Sequence, residues 1–443
     1  MDASQSLFSL AQQVLPGGVS ASARSNVALG HPFFVSRGDG PRVYDLDGQP
    51  YLDFCMSHGA SLLGHNHPKI KAAVAQALEL GIICSYETPY HTALAQRLTQ
   101  LVPCAEMVRF AGSGTETIMH ALRLARTVTG RETVIKFEGH FHGYSDDLYF
   151  SSAPPLDQAG PAATPTPYPQ SSGMPHHNRD RVVVVPFNDP AALEAAFALY
   201  GHEAACLILE PINYDSGCIR PQPGFLQLCR ELCDRYGALL FFDEVLTAFR
   251  LGPGGAQTYY GVVPDLCVLG KAIGAGLPIS AIAGKRSVML GLRPVGTSEH
   301  SGTYLAHLTA VLAALAALEE YSQPGFYERL NDLGQHFYGG LQGLIEHSGV
   351  PVRLQYAGPR FTLYFGLSGA EVTNYRQAAR QNPALLHRFI AECIAGGVYF
   401  HVSPHHGFSA AHTQADLDHA LEVIEQALAR VGQTSPVSEA LPA

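Results

Sequence analysis

The chain has 443 residues, 47% of them apolar and 15% charged, which excludes a disordered or coiled-coil protein and implies two or three domains. Its 28 basic and 38 acidic residues give a net charge of −10 with no Lys/Arg cluster, which argues against nucleic acid as a partner. In chain order, Leu7, Leu10, Ala11 and Val14 define one face of a helix over 4–15, ended by Pro16-Gly17-Gly18. The turn signals at Gly38-Asp39-Gly40 and Asp47-Gly48 separate extended runs at 33–36, 42–45 and 51–54, a small antiparallel meander. His67-Pro68 opens a helix that runs to Leu80.

From about residue 90 helices alternate with short apolar runs. The runs are 107–110, 134–137, 182–185, 206–209, 239–242 and 266–269; helices are predicted over 115–128, 191–200 and 225–236. Apolar runs bounded by helices point to an α/β fold with a parallel sheet covered on both faces. Such sheets bind ligands at the carboxyl ends of their strands. Segment 151–178, rich in Pro, Ser, Ala, Gly and Thr, has no periodicity and reads as a lid or an irregular excursion. A helix over 305–321, a strand over 360–365 and helices over 383–395 and 415–431 follow, with a frayed tail from 432 to 443.

No basic residue precedes Arg24, so a signal peptide is not expected, and the longest apolar stretches are too short to span a bilayer. Nine scattered cysteines without a CxxC pair read as free thiols in a reducing, cytoplasmic setting.

Four features carry chemistry. Lys271 follows the run 266–269 and precedes Gly274-Ala275-Gly276. A lysine there is costly to bury unless it is neutralised, paired or used covalently; a surface lysine at a strand exit is the alternative. Asp243 closes the run 239–242 and could face a protonated pyridine nitrogen, a metal or a helix cap. Ala111-Gly112-Ser113-Gly114-Thr115-Glu116 lies between a strand and a helix, as an anion cradle or an ordinary tight turn would. Glu138-Gly139-His140-Phe141-His142-Gly143 brings an aromatic that could stack on a planar ligand. The paired histidines lack an obvious third ligand, so no metal is expected. Asp265 stands where a nucleotide P-loop needs glycine, and no dinucleotide fingerprint occurs.

Ser113-Gly114-Thr115-Glu116, Phe137-Glu138-Gly139 with His142-Gly143, Glu210-Pro211, Asp243-Glu244-Val245 and Leu269-Gly270-Lys271 together resemble the class III pyridoxal-phosphate aminotransferases. Pro16-Gly17-Gly18-Val19, Leu63-Gly64-His65-Asn66-His67-Pro68 and residues 260–266 are similar to the branch that contains glutamate-1-semialdehyde 2,1-aminomutase. The resemblance runs from about Leu15 to the C-terminal helix.

It implies a fold-type I architecture: a large domain with a mostly parallel seven-stranded sheet, and a small α+β domain from both chain ends. The expected division is 1–60 (part of the small domain), 61–305 (the cofactor domain, with 151–178 as a mobile loop) and 306–443 (the rest of the small domain). It also implies a homodimer with active sites at the interface and pyridoxal 5'-phosphate as cofactor. By position, Lys271 forms the Schiff base, Asp243 holds the pyridinium, and Ser113, Gly114 and Thr115 bind the phosphate. Thr303 adds a phosphate contact across the dimer, Val245 packs beneath the ring, and Phe141, His142, Glu210 and Asp215 complete the cofactor set. Arg24 is expected on the substrate carboxylate and Arg360 as a second carboxylate contact.

This chain departs from that branch at Phe141, where Tyr is usual, and at Asp215, where Asn is usual. It departs again at Ala306-His307, where Asn-Pro is usual, and at His405-His406-Gly407, where an acidic residue is expected. The implied activity is transfer of an amino group between an amino acid, β- or D-amino acids included, and a keto acid. The alternative is glutamate-1-semialdehyde aminomutase.

Overall fold

The computed structural model describes residues 3–433. Strands β1 (Arg37–Asp39), β2 (Arg42–Tyr44) and β3 (Pro50–Asp53) form the N-terminal meander. Its first strand is 37–39 rather than the expected 33–36, because Arg37 pairs with Tyr44 across the Gly38-Asp39-Gly40 turn. The large sheet holds β4 (Met107–Ala111), β5 (Thr133–Phe137), β6 (Val182–Val185), β7 (Ala204–Leu209), β8 (Leu239–Glu244), β9 (Leu266–Leu269) and β10 (Ser280–Gly284). Their order is β4-β10-β9-β8-β7-β5-β6, and only β10 runs antiparallel to its neighbours.

Strand β10 was not anticipated. Its sequence Ser-Ala-Ile-Ala-Gly carries little branched bulk because it is wedged between β4 and β9. A Cβ on Gly284 would lie 2.8 Å from the Asp265 carbonyl oxygen. Strands β5, β7 and β9 are fully buried, and β7 and β9 are apolar on both faces, as a sheet covered by helices requires.

β11 (Val352–Ala357) and β12 (Arg360–Phe365) pair antiparallel, β13 (Val398–Tyr399) pairs parallel with β3, and β14 (His406–Gly407) pairs with β12. Both chain ends therefore meet in one small unit. Phe54 stacks on Phe337 at 5.3 Å and on Phe400 at 5.1 Å at its centre. Each such buried aromatic contributes about 1.5–3 kcal/mol relative to exposure.

The expected boundary at 305/306 falls before the helix Leu308–Tyr321, which packs on helices Pro68–Glu79 and Pro89–Leu101 of the large unit. Helix Pro89–Leu101 was missed; its capping box uses His91, not Glu or Gln, opposite Thr88. The tail expected to fray from 432 begins inside the helix Gln414–Gly432, and its residues 434–443 lie outside the described ones.

Segment 151–175 is irregular but fastened. Arg376 forks onto Glu138 at 2.8 and 3.0 Å and donates to the carbonyls of Ala159, Gly160 and Pro161. The Tyr375 hydroxyl donates to the Pro154 carbonyl at 2.7 Å.

Candidate active site

The sequence turns of interest gather at one edge of the large sheet, where β4, β5, β7, β8 and β9 end and antiparallel β10 begins. A cavity of about 490 Å³ opens there. Its wall includes Ser113, Gly114, Thr115, Phe141, Glu210 and Asp215. Asp243, Val245 and Lys271 complete the expected set on that wall.

Ser113 caps the 16-residue helix Gly114–Thr129, accepting from the Glu116 N–H at 3.3 Å. The free N–H groups and dipole of that helix start face the cavity, a setting for an anion. Glycine is needed around it. A Cβ on Gly114 would lie 3.2 Å from Val245, and one on Gly143 would lie 2.7 Å from Thr115 Oγ1, at a φ of +81°.

Asp243 stands at the end of β8 and is buried. Its Oδ1 accepts from the Val245 N–H at 3.1 Å and its Oδ2 lies 2.8 Å from His142 Nδ1. Burial pushes the His142 ring below its ordinary range, with Asp243 pulling the other way, so a neutral ring donates through Nδ1. His142 itself sits behind Asp243 and not on the cavity wall.

Glu210 follows β7. Its Oε1 accepts from the Phe141 N–H at 3.1 Å and its Oε2 from the Tyr214 N–H at 3.2 Å, so it positions the aromatic. Burial, then Asp215 and Asp243, holds its carboxyl well above the usual range. Burial also raises Asp215 to about 6, against the opposing pull of Lys271 and Lys136. Burial thus makes the ionised form of Asp215 costly, and its repulsion of an anionic ligand is relieved only as pH falls toward about 6.

Lys271 follows β9 with a φ of +47°, a left-handed conformation that costs a residue with a side chain roughly 1–2 kcal/mol. Burial lowers its ammonium to about 8, while Asp243, Glu210 and Asp215 raise it and Arg250 lowers it further. The amine is thus available as a nucleophile or base near neutral pH.

Besides His142, three expected contacts do not reach the cavity. Ala23 lines it, but Arg24, the next residue in a single 3-10 turn, is exposed and donates to Ser20 Oγ at 2.5 Å. Arg360 is fully buried and sits behind His405, which lines the wall. Thr303 is exposed and away from the cavity; its carbonyl accepts from Ser85 Oγ at 3.3 Å. None of residues 151–178 lines the cavity, so the segment expected as a lid covers other ground here.

The wall also carries three histidines: His405, noted from the sequence as a departure where an acidic residue is expected, and His58 and His401, which sequence reasoning missed. His58 comes from a turn far in sequence from the one that carries His401 and His405, and only the fold gives them a shared setting. Lys136 was missed as well. It is sealed inside β5 and donates to the carbonyls of His140 at 2.9 Å and Leu148 at 3.4 Å, and also to Phe150, which braces the turn carrying Phe141.

The residues fit a phosphorylated, planar, aldehyde-bearing group: a helix N-terminus for the phosphate, Asp243 for a ring N–H, and an amine at Lys271. Among the described residues no three His, Cys, Asp or Glu side chains are arranged to hold a metal, and no helix is long and apolar enough to cross a membrane.

Comparison with known proteins agrees with the geometry. The chain is similar to an omega-transaminase from Sphaerobacter thermophilus, with 32% identity over 97% of this chain and 98% of that one, and a TM-score of 0.90. It is similar to a beta-phenylalanine aminotransferase from Variovorax paradoxus at 30% identity, over 96% and 93% of the two chains, with a TM-score of 0.83. A glutamate-1-semialdehyde-aminomutase from Pseudomonas aeruginosa shares the fold, with 24% identity over 97% and 94% and a TM-score of 0.86. The family model for class III aminotransferases matches residues 23–399. The chain therefore belongs to the class III aminotransferases, enzymes that use pyridoxal 5'-phosphate.

Proposed function

We propose that this enzyme is a transaminase that moves an amino group from an amino acid, β- and D-amino acids among the candidates, to a keto acid. One observation carries the reading: the Lys271 amine shares a cavity with Asp243 and with the N-terminus of the helix Gly114–Thr129. When bound, the cofactor supplies an aldehyde that exchanges amines and a ring that takes up electron density. Ser113, Gly114 and Thr115 hold the phosphate. Asp243, oriented by His142, holds the ring N–H. Phe141 and Val245 pack on the ring. Lys271 would hold the cofactor through its amine and, once released, would move a proton at the substrate carbon.

The fastened segment 151–175, which does not line the cavity, supports release of products over retention of an intermediate, and so favours transamination over the aminomutase reaction. We further propose a cytoplasmic homodimer. In it, exposed Thr303 reaches the phosphate bound by the partner subunit, and the exposed Tyr86 and Tyr304 of the same face are covered.

The test is incubation of the cofactor-loaded enzyme with a panel of α-, β- and D-amino acids and pyruvate or 2-oxoglutarate. Stoichiometric keto acid and new amino acid support the reading. Rearrangement of glutamate semialdehyde without keto-acid release supports the aminomutase, and no reaction with any donor refutes transamination.

A further inference from the structure

Part of the cavity wall is built of imidazoles and backed by cations. His58, His401 and His405 line it. The rings of His58 and His401 meet edge to face at 4.6 Å. His58 is held by three successive left-handed residues, Met56, Ser57 and His58, at φ of 47°, 53° and 52°. Strain of this kind persists where the surrounding structure fixes it, and it clusters at functional sites.

Behind this wall lie two guanidiniums, Arg360 and Arg250, only 1% and 2% exposed. Arg360 donates to the carbonyls of Cys55 and His405, and Arg250 to those of Leu246 and Gly59. Neither has a carboxylate partner among the described residues. Asp53, whose charge acts on His58, is engaged by His65 at 2.8 Å and by the Cys55 N–H at 2.7 Å. Glu210, Asp215 and Asp243 act on Lys271. Buried cations without an anion are costly, and the cost falls when an anion arrives.

Arg360 also settles the state of His405. Its Nη2 donates to His405 Nδ1 as well as to the His405 carbonyl. A guanidinium has no acceptor, so Nδ1 is bare and the ring proton sits on Nε2. That Nε2 makes no hydrogen bond within the described protein. His401 differs: its Nδ1 accepts from the Ser403 N–H at 3.1 Å, and no cation fixes its tautomer, while its Nε2 has no hydrogen-bond partner among the described residues. Of the three wall imidazoles, His405 is therefore the one whose N–H is fixed on Nε2 by a cation behind it.

We infer that His405 Nε2–H receives the carboxylate of the amino-acid substrate, with Arg360 as the positioning residue that fixes its tautomer. This rests on the transaminase reading, and it moves carboxylate recognition from exposed Arg24 to a neutral donor in a positive field. The substrate class is a monocarboxylate whose amine reaches Lys271.

The test is calorimetric titration of the cofactor-loaded enzyme with propionate and 3-phenylpropionate, unreactive carboxylates, in wild type and in His405→Phe, His405→Gln and Arg360→Lys variants. Circular dichroism and retained cofactor absorbance check the fold of each. One hydrogen bond to a charged group predicts roughly ten- to hundredfold weaker binding in His405→Phe. His405→Gln, which keeps a donor, should recover a large part of that loss. In turnover, His405→Phe should lower the preference for an amino acid over its decarboxylated amine by tenfold or more, whereas a merely structural role would lower both alike. Arg360→Lys should shift the same preference in the same direction.

Unchanged carboxylate affinity in His405→Phe overturns the inference. So does a Gln variant as weak as Phe, a parallel loss on acid and amine, or a wild type that binds neither carboxylate. Carboxylate binding through His405 without turnover of any amine donor would leave this inference standing and sink the transaminase reading.

Discussion

His142 Nδ1 lies 2.8 Å from Asp243 Oδ2, with both side chains sealed from solvent. The neutral ring, held so by burial, donates to one carboxylate oxygen while the Val245 N–H donates to the other. Asp243 is thus locked in one orientation at the end of β8. Replacing Asp243 with Asn keeps the shape and removes the charge. Its turnover number should fall at least roughly a hundredfold, the size of one preorganised electrostatic contact. His142→Ala should fall less, because Asp243 keeps its charge and its Val245 contact. Steady-state kinetics at saturating cofactor measure both; equal, small losses would contradict the assignment.

Lys271 sets a pH dependence. Its ammonium is lowered to about 8, so the reactive neutral amine gains population as pH rises through that value. The rate at which cofactor-free protein captures pyridoxal phosphate should therefore climb between about pH 7 and 9 and then level off. Stopped-flow absorbance follows it directly. A rate that keeps rising up to the range of an ordinary lysine would show that burial does not act on this amine.

Gly143 tests the cradle. A side chain there must adopt a φ of +81° and press within 2.7 Å of Thr115 Oγ1. The left-handed backbone alone costs roughly 1–2 kcal/mol. Displacement of Thr115 should add to that in the loaded state. Gly143→Ala should bind pyridoxal phosphate at least tenfold more weakly, read by equilibrium dialysis, with a smaller drop in thermal stability of the cofactor-free protein.

Asp215 carries a stability cost whose sign is fixed by its shift. Its carboxyl is raised by burial from 3.8 to about 6, so the folded protein holds that proton more tightly than the unfolded chain does. The contribution is full below pH 3.8 and lost as pH rises through about 6. Above that the ionised group costs the cofactor-free protein on the order of 3 kcal/mol. Asp215→Asn should melt above wild type at pH 7 to 8, with the difference closing toward pH 5. A constant difference across that range would contradict the shift.

Much of this architecture was legible because period and punctuation agree with burial. The segments Val182–Val185, Phe225–Tyr236, Leu266–Leu269, Arg360–Phe365 and Pro383–Ala395 end where their sequence signals end. What was missed obeys packing instead. Helix Phe326–Ser348 contains Gly334, Gly339, Gly340 and Gly343, poor helix formers that hide its period. One of them has a reason to be small: a Cβ on Gly340 would lie 2.5 Å from Leu421 of the facing C-terminal helix.

The site divides the same way. Lys271, Asp243 and Ser113 follow strands, so a parallel sheet gathers them whatever the loops do. His58, His401 and His405 reach the cavity through turns, and Arg24 misses it by one residue in a tight turn. Sequence position near a motif does not fix which way a side chain points.

The central claim is that Lys271, and no other lysine, links to the cofactor. Lys136 is the competitor: it is also buried near the site and lowered to about 7, but its amine is spent on backbone carbonyls. The direct measurement is borohydride reduction of the cofactor-loaded enzyme, followed by proteolysis and mass mapping. The account predicts the reduced cofactor on the peptide that contains Lys271, and on no peptide in a Lys271→Ala variant. Label on Lys136, or label that survives in Lys271→Ala, would contradict it.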